Sequence, residues 1–117
     1  DVNSMYLIMV AFWSAVKETF EDAWGLPPTE SRLMHSAGIQ AMGVLMDRMV
    51  PRIQNDKNLK QNIKKSLLKI KDECAWTDGE WSNIGLAWNE VQSVPRHIRL
   101  LAEHLVQLDY AASREQE

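Results

Sequence analysis

The stretch Ser31 to Val50 puts apolar or small residues on nearly every face of the helix its spacing predicts, and such a helix must be covered by neighbours on most sides. Leu33, Met34, Ala37, Ala41, Leu45 and Met49 make one stripe at helical spacing, and Ile39, Met42, Met46, Val50 and Ile53 make a second beside it. Two stripes require two partners, so this helix is expected at the centre of a small helical domain. Gly38 and Gly43 each cost about 1 kcal/mol relative to Ala inside a helix, and close approach of a neighbouring backbone is the expected compensation.

The flanking segments supply the partners. Ser4 is expected to cap a first helix running to about Trp24, with Gly25 as its stop and Leu26-Pro-Pro-Thr29 as a stiff turn. Thr29 or Ser31 then caps the central helix, and Pro51 breaks or kinks it near Val50, leaving Arg52 to Asn58 as a polar connection or a frayed continuation of the helix. Asn58 to about Cys74 reads as an amphipathic helix with Leu59, Ile63, Leu67, Ile70 and Cys74 inward. From Ala75 to Pro95 the period disappears. This segment reads as an ordered loop anchored by Trp76, Trp81 and Trp88, with capping-box spacing at Thr77-Asp-Gly-Glu80 for a short helical turn. Pro95 opens the last helix, which buries Ile98, Leu101, Ala102, Leu105 and Leu108 and turns Arg96, Arg99, Glu103, Gln107 and Asp109 to water; the tail Ser113 to Glu117 frays. The predicted class is all-α, a single domain over 1–117 of four main helices around a buried central helix, with a Trp-anchored loop. A hydrophobic content of 45% suffices for one core of this size.

The formal charge of -3 gives no global case for nucleic-acid binding. A single cysteine, Cys74, excludes an internal disulfide framework, and with no signal peptide a reduced, cytoplasmic setting is the default. The apolar run Met5 to Trp13 falls short of the roughly 20 residues a membrane span needs, and Lys17, Glu18, Glu21 and Asp22 follow it, so no membrane partner is expected. The chain begins with Asp and enters a helix almost at once, which suggests a fragment of a longer protein.

Several residue groups invite a functional reading beside a structural one. Met5, Leu7, Ile8, Phe12 and Trp13 lie on a first helix whose apolar residues spread beyond one face. They form either internal core or a surface for a missing N-terminal region or a second copy of the chain. Lys57, Lys60, Lys64, Lys65 and Lys71 gather on one helix and could meet phosphates, although Lys-rich outer faces are ordinarily solvated and no aromatics interleave to stack bases. Trp76, Trp81 and Trp88 could line a ligand groove with Asn89, or simply pin the loop. His97 and His104 stand seven apart, roughly 10 Å along the axis, too far to grip one ion alone. His35 is expected to be satisfied by backbone or by a neighbour such as Asp47 or Glu30. With no nucleophile motif, phosphate loop or zincin signature, neither catalysis nor a cofactor is expected.

The segments Ala11-Phe-Trp13, Phe20-Glu-Asp-Ala-Trp-Gly-Leu-Pro-Pro28, Ser31-Arg-Leu-Met-His35 with Gly38-Ile39 and Leu45-Met-Asp47, Trp76-Thr-Asp-Gly-Glu-Trp81, Gly85-Leu-Ala-Trp-Asn-Glu-Val-Gln92 and Arg99-Leu-Leu101 span most of the chain. Together they resemble the C-terminal helical part of DGQHR-domain proteins, bacterial proteins related to the DndB component of DNA phosphorothioation systems. The family's Asp-Gly-Gln-His-Arg motif, in a region resembling ParB-type domains, is absent here, so the resemblance carries over no active-site residue. It implies a bacterial cytoplasmic protein linked to DNA modification, defence or mobile elements. The expected function is a non-catalytic interaction or scaffold module, with nucleic-acid binding by the lysine helix as the alternative.

Overall fold

The computed structural model describes residues 1–54 and 57–115; the connection expected between Arg52 and Asn58 lies outside them at 55 and 56, and the tail at 116 and 117. Four α-helices account for most of the chain, joined by short 3-10 turns and one two-stranded hairpin.

Helix α1 spans Val2–Thr19. Its cap is Asp1, whose carboxylate accepts from the Ser4 amide at 2.8 Å, in place of the expected Ser4. It also ends five residues before Trp24: Phe20 leaves helical geometry, and the Ala23 and Trp24 amides both donate to its carbonyl in a turn. That turn brings Phe20 inward to meet Trp76 edge to face at 6.1 Å. Gly25, at φ +84°, supplies the left-handed step before the two prolines.

The central stretch is two elements. Arg32–Met34 form one 3-10 turn, His35 is extended, and helix α2 begins at Ser36 and runs to Ile53. The cap is His35 itself, its Nδ1 accepting from the Ala37 amide at 3.1 Å, so neither Thr29, Ser31, Asp47 nor Glu30 plays the expected part. The break exists because the chain folds back on itself. A Cβ on Gly38 would sit 1.8 Å from the Arg32 carbonyl oxygen, which is the close approach expected there, whereas a Cβ on Gly43 would meet nothing. Pro51 does not end α2, because a proline this near the C-terminus removes one hydrogen bond and Arg52 beyond it is held from outside the helix. The first stripe of α2 is buried, through Ala37, Ala41, Leu45 and Met49. The second is buried at Met42 and Val50 and half-buried at Met46 and Ile53, and only its first member, Ile39, is exposed.

Helix α3, Leu59–Ile70, continues as a 3-10 turn over Lys71–Glu73. It buries Ile63, Leu67 and Ile70 as its period predicts. The Trp-rich segment is ordered but contains a hairpin, with β1 (Glu80–Trp81) antiparallel to β2 (Leu86–Ala87) and pairs Glu80 with Ala87 and Trp81 with Leu86. Its four-residue loop uses Asn83 and Gly85 at positive φ, residue types that tolerate it. No helical turn forms at Thr77–Glu80; Gly79 takes φ +79° and its carbonyl accepts from the Trp88 amide, committing the segment to the hairpin. Helix α4, Pro95–Arg114, opens with Pro95 in its first turn as expected.

Two arginines reveal how the helices lie. Arg32, just before α2, donates to Asn89 and Val91, just before α4. Arg52, at the end of α2, makes a two-pronged pair with Asp109 in the last third of α4, at 3.0 and 3.1 Å. The sequence offset is nearly the same at both ends, so α2 and α4 run parallel, clamped at the start and the finish. Asp109 is therefore buried rather than solvated, its negative charge matched by a fork of donors. The main partner of α2 is thus α4, not the first helix, which packs chiefly on α3; α3 also touches α4 and α2.

Candidate interaction surfaces

Helix α1 carries no charged residue from Val2 to Val16. Its C-terminal half turns Phe12, Ala15, Val16 and Thr19 into the core at helical spacing. Its N-terminal half leaves Val2, Met5, Tyr6, Leu7, Met9 and Val10 between 46% and 82% exposed. At 100° per residue these six cover an arc of about 200°. Of the residues expected on this surface, Met5 and Leu7 lie on it, and Ile8 and Trp13 are half-buried against the core. Phe12 is not on it: it shares the inward face with Ala15 and Val16 and meets the Trp13 ring edge-on at 5.4 Å. Val2, Tyr6, Met9 and Val10 complete the surface, and the charge-free run is the sequence signal for them. A pocket of about 200 Å³ lies where Met5, Ile8 and Met9 meet Met46, Val50 and Pro51 of α2.

The lysines of α3 are divided. Lys60 and Lys64 both pair with Glu18 of α1, Lys64 at 3.2 Å, and these contacts, Lys60 foremost, hold the Glu18 carboxyl below its usual range. The pairs are solvent-exposed and worth little in stability, but they offset two of the charges a phosphate backbone would use. Lys57, Lys65 and Lys71 are exposed, with Lys71 in the turn beyond the helix.

The three tryptophans do not share a groove. Trp76 and Trp81 are buried in an edge-to-face row that runs Phe20, Trp76, Trp81, His104, with ring spacings of 6.1, 5.0 and 6.0 Å. Trp88 is half-buried and lies under the Arg32 guanidinium, 5.6 Å from its ring centre. What organises this region is Arg32, which the spacing arguments left unremarked. It is 8% exposed, and its guanidinium donates to the carbonyls of Val91 at 2.9 Å, Pro28 at 2.6 Å and Asn89 at 2.8 Å. Its own amide donates to the Trp76 carbonyl. A guanidinium fork can join the segment at Pro28 to the segment at Asn89 and Val91 this way because each carbonyl takes one of its fixed donors.

Among the described residues no group of three or more His, Cys, Asp or Glu could hold a metal ion. His97 Nδ1 accepts from the Gln92 amide at 2.9 Å, ahead of α4. His104 is buried edge-on against Trp81, and its pKa is lowered by burial against an opposing pull from Glu73. The Cys74 thiol is pushed up to about 12, chiefly by burial, and donates to the Ile70 carbonyl. Such a thiol is inert as a nucleophile.

A concavity of about 620 Å³ lies between α2 and α4 over Val44, Ile98, Ala102 and Val106, with Arg48 and Arg99 at its edge. No helix among the described residues is long and apolar enough to cross a membrane. No protein-family model matches the chain, and no curated protein or solved structure matches it significantly.

Proposed function

We propose that this chain is a non-catalytic helical interaction module that engages an apolar partner through α1. The observation that carries the reading is the fifteen-residue stretch Val2 to Val16, which has no charge and yet leaves six large apolar side chains exposed on one half of a helix. A contiguous apolar patch of that extent is characteristic of a binding surface. The resemblance to DGQHR-domain proteins supplies a context: a bacterial cytoplasmic protein linked to DNA modification, defence or mobile elements, in which the face takes another part of that protein or a second copy. Nucleic-acid binding by the lysine helix is the weaker reading, because Glu18 already engages Lys60 and Lys64.

The test combines sedimentation with binding of a fluorescent apolar-surface probe. The chain should either associate or bind the probe, and the double substitution Tyr6→Glu with Val10→Glu should abolish whichever occurs while the helical CD signal stays unchanged. A chain that does neither, or that does so regardless of the substitutions, sinks the reading.

A further inference from the structure

We infer that the partner of α1 is α1 of a second copy, packed antiparallel across a two-fold axis; this rests on the interaction-module reading and names its occupant. Opposite the buried face of α1, the positions Asn3, Tyr6, Val10, Trp13 and Lys17 recur at alternating steps of three and four. That is the spacing of a helix-pairing seam, in which a 3.5-residue repeat keeps one side facing a partner helix. Tyr6 and Val10 at its centre are exposed, and Trp13 beside them is half-buried.

A two-fold interface must be complementary to itself, residue i meeting residue j while j meets i. Laid antiparallel about residue 8, the seam sets Tyr6 against Val10 of the other copy and Asn3 against Trp13, a large side chain facing a smaller one in each pair. The carboxamide of Asn3 can accept from the Trp13 indole N–H across that pair. With no charge between Val2 and Val16, the pairing buries no unmatched ion, and Lys17 falls beyond the overlap where it stays in water. Five of the six exposed side chains, Met5 being turned toward α2, lie on or beside the seam and present on the order of 500 Å²; Asn3 and Trp13 bring the face toward the roughly 800 Å² per partner of a standard interface. The α2–α4 concavity, by contrast, is lined by Arg48, Arg99 and Glu103, so a second copy seated there would take charged groups out of water.

Sedimentation equilibrium of the 117-residue chain between 5 and 100 µM tests the inference. A dimer is expected, with its dissociation constant raised at least 100-fold by Tyr6→Glu. Orientation is read by thiol crosslinking: chains carrying Tyr6→Cys are mixed with chains carrying Val10→Cys, both sites lying outside the core. Both chains also carry Cys74→Ser, because Cys74 is half-buried, so that only the introduced thiols react. Antiparallel pairing yields the mixed crosslink in excess; an excess of 6–6 and 10–10 crosslinks would overturn it, as would a dimer indifferent to Tyr6→Glu. A monomer at 100 µM also overturns the self-pairing. If that monomer binds the apolar probe and loses it on Tyr6→Glu, the interaction module survives with a different partner; if it binds none, both readings fall.

Discussion

Arg32 is the residue on which the tertiary structure most depends. Its three guanidinium contacts tie the segments at Pro28, Asn89 and Val91, and its ring contact covers Trp88. Replacing it with Ala leaves three carbonyls without their charged donor, which should cost about 3 kcal/mol. In a domain of this size that lowers the melting temperature by about 10 °C, measurable by far-UV CD. Arg32→Lys should recover less than half, since an ammonium cannot spread its donors in a planar fork. His35 and His104 bear on pH. Burial holds both below the ordinary histidine value, with the Arg32 charge adding at His35. Each therefore takes a proton more readily in the unfolded chain. Their contribution is complete above about pH 6.5 and is lost as pH falls through the lowered folded-state values. The urea midpoint should accordingly drop between pH 7.5 and 5.5. His35→Asn, which keeps a side-chain acceptor for the Ala37 amide, should show a smaller drop; an unchanged one would exonerate His35.

At the scale of the element, α2 separates two glycines that look alike in sequence. Gly43→Ala enters open space and should stabilise the chain by about 1 kcal/mol through helix propensity. Gly38→Ala drives a methyl into the Arg32 carbonyl and should destabilise by about 3 kcal/mol or more despite the same propensity gain. Chemical denaturation of the two single variants reads the opposite signs directly. The existence of α1, α3 and α4 was legible from periodicity, and so was the Pro95 start. The ends were not. Thr19, Ser36 and Ile53 are set by a buried turn at Phe20, an imidazole cap and a clamp on Arg52, none of which leaves a local pattern. The hairpin at Glu80–Ala87 was equally hidden, because two-residue strands are too short to show alternation.

For the whole molecule, the parallel run of α2 and α4 places the lysines of α3 and the apolar face of α1 on surfaces that the core does not use. The net charge of -3 and the Glu18 pairs lead to a clear expectation for DNA. Duplex DNA titrated at 150 mM salt should produce no anisotropy change, and Lys57→Glu, Lys65→Glu and Lys71→Glu together should leave both that result and the melting temperature unaltered. Tight binding abolished by those three substitutions would restore the nucleic-acid reading. Of the candidate surface residues, Met5 and Leu7 are exposed, while Phe12, Trp76 and Trp81 lie in the core. An aromatic residue announces that it will be buried somewhere, without saying against what.

The sequence by itself determined that the chain is mainly helical and which stripes of α3 and α4 turn inward, because hydrophobic period is a local property that 100° per residue converts into a face. It also marked Ser31 to Val50 as the stretch in need of partners. Only the tertiary structure decided that this stretch is a 3-10 turn and a helix, that its chief partner is α4 in parallel, and that one face of α1 remains uncovered. Those outcomes depend on contacts such as Arg32 to Val91 and Arg52 to Asp109, between residues 59 and 57 positions apart. No local pattern encodes which distant carbonyl or carboxylate an arginine will find.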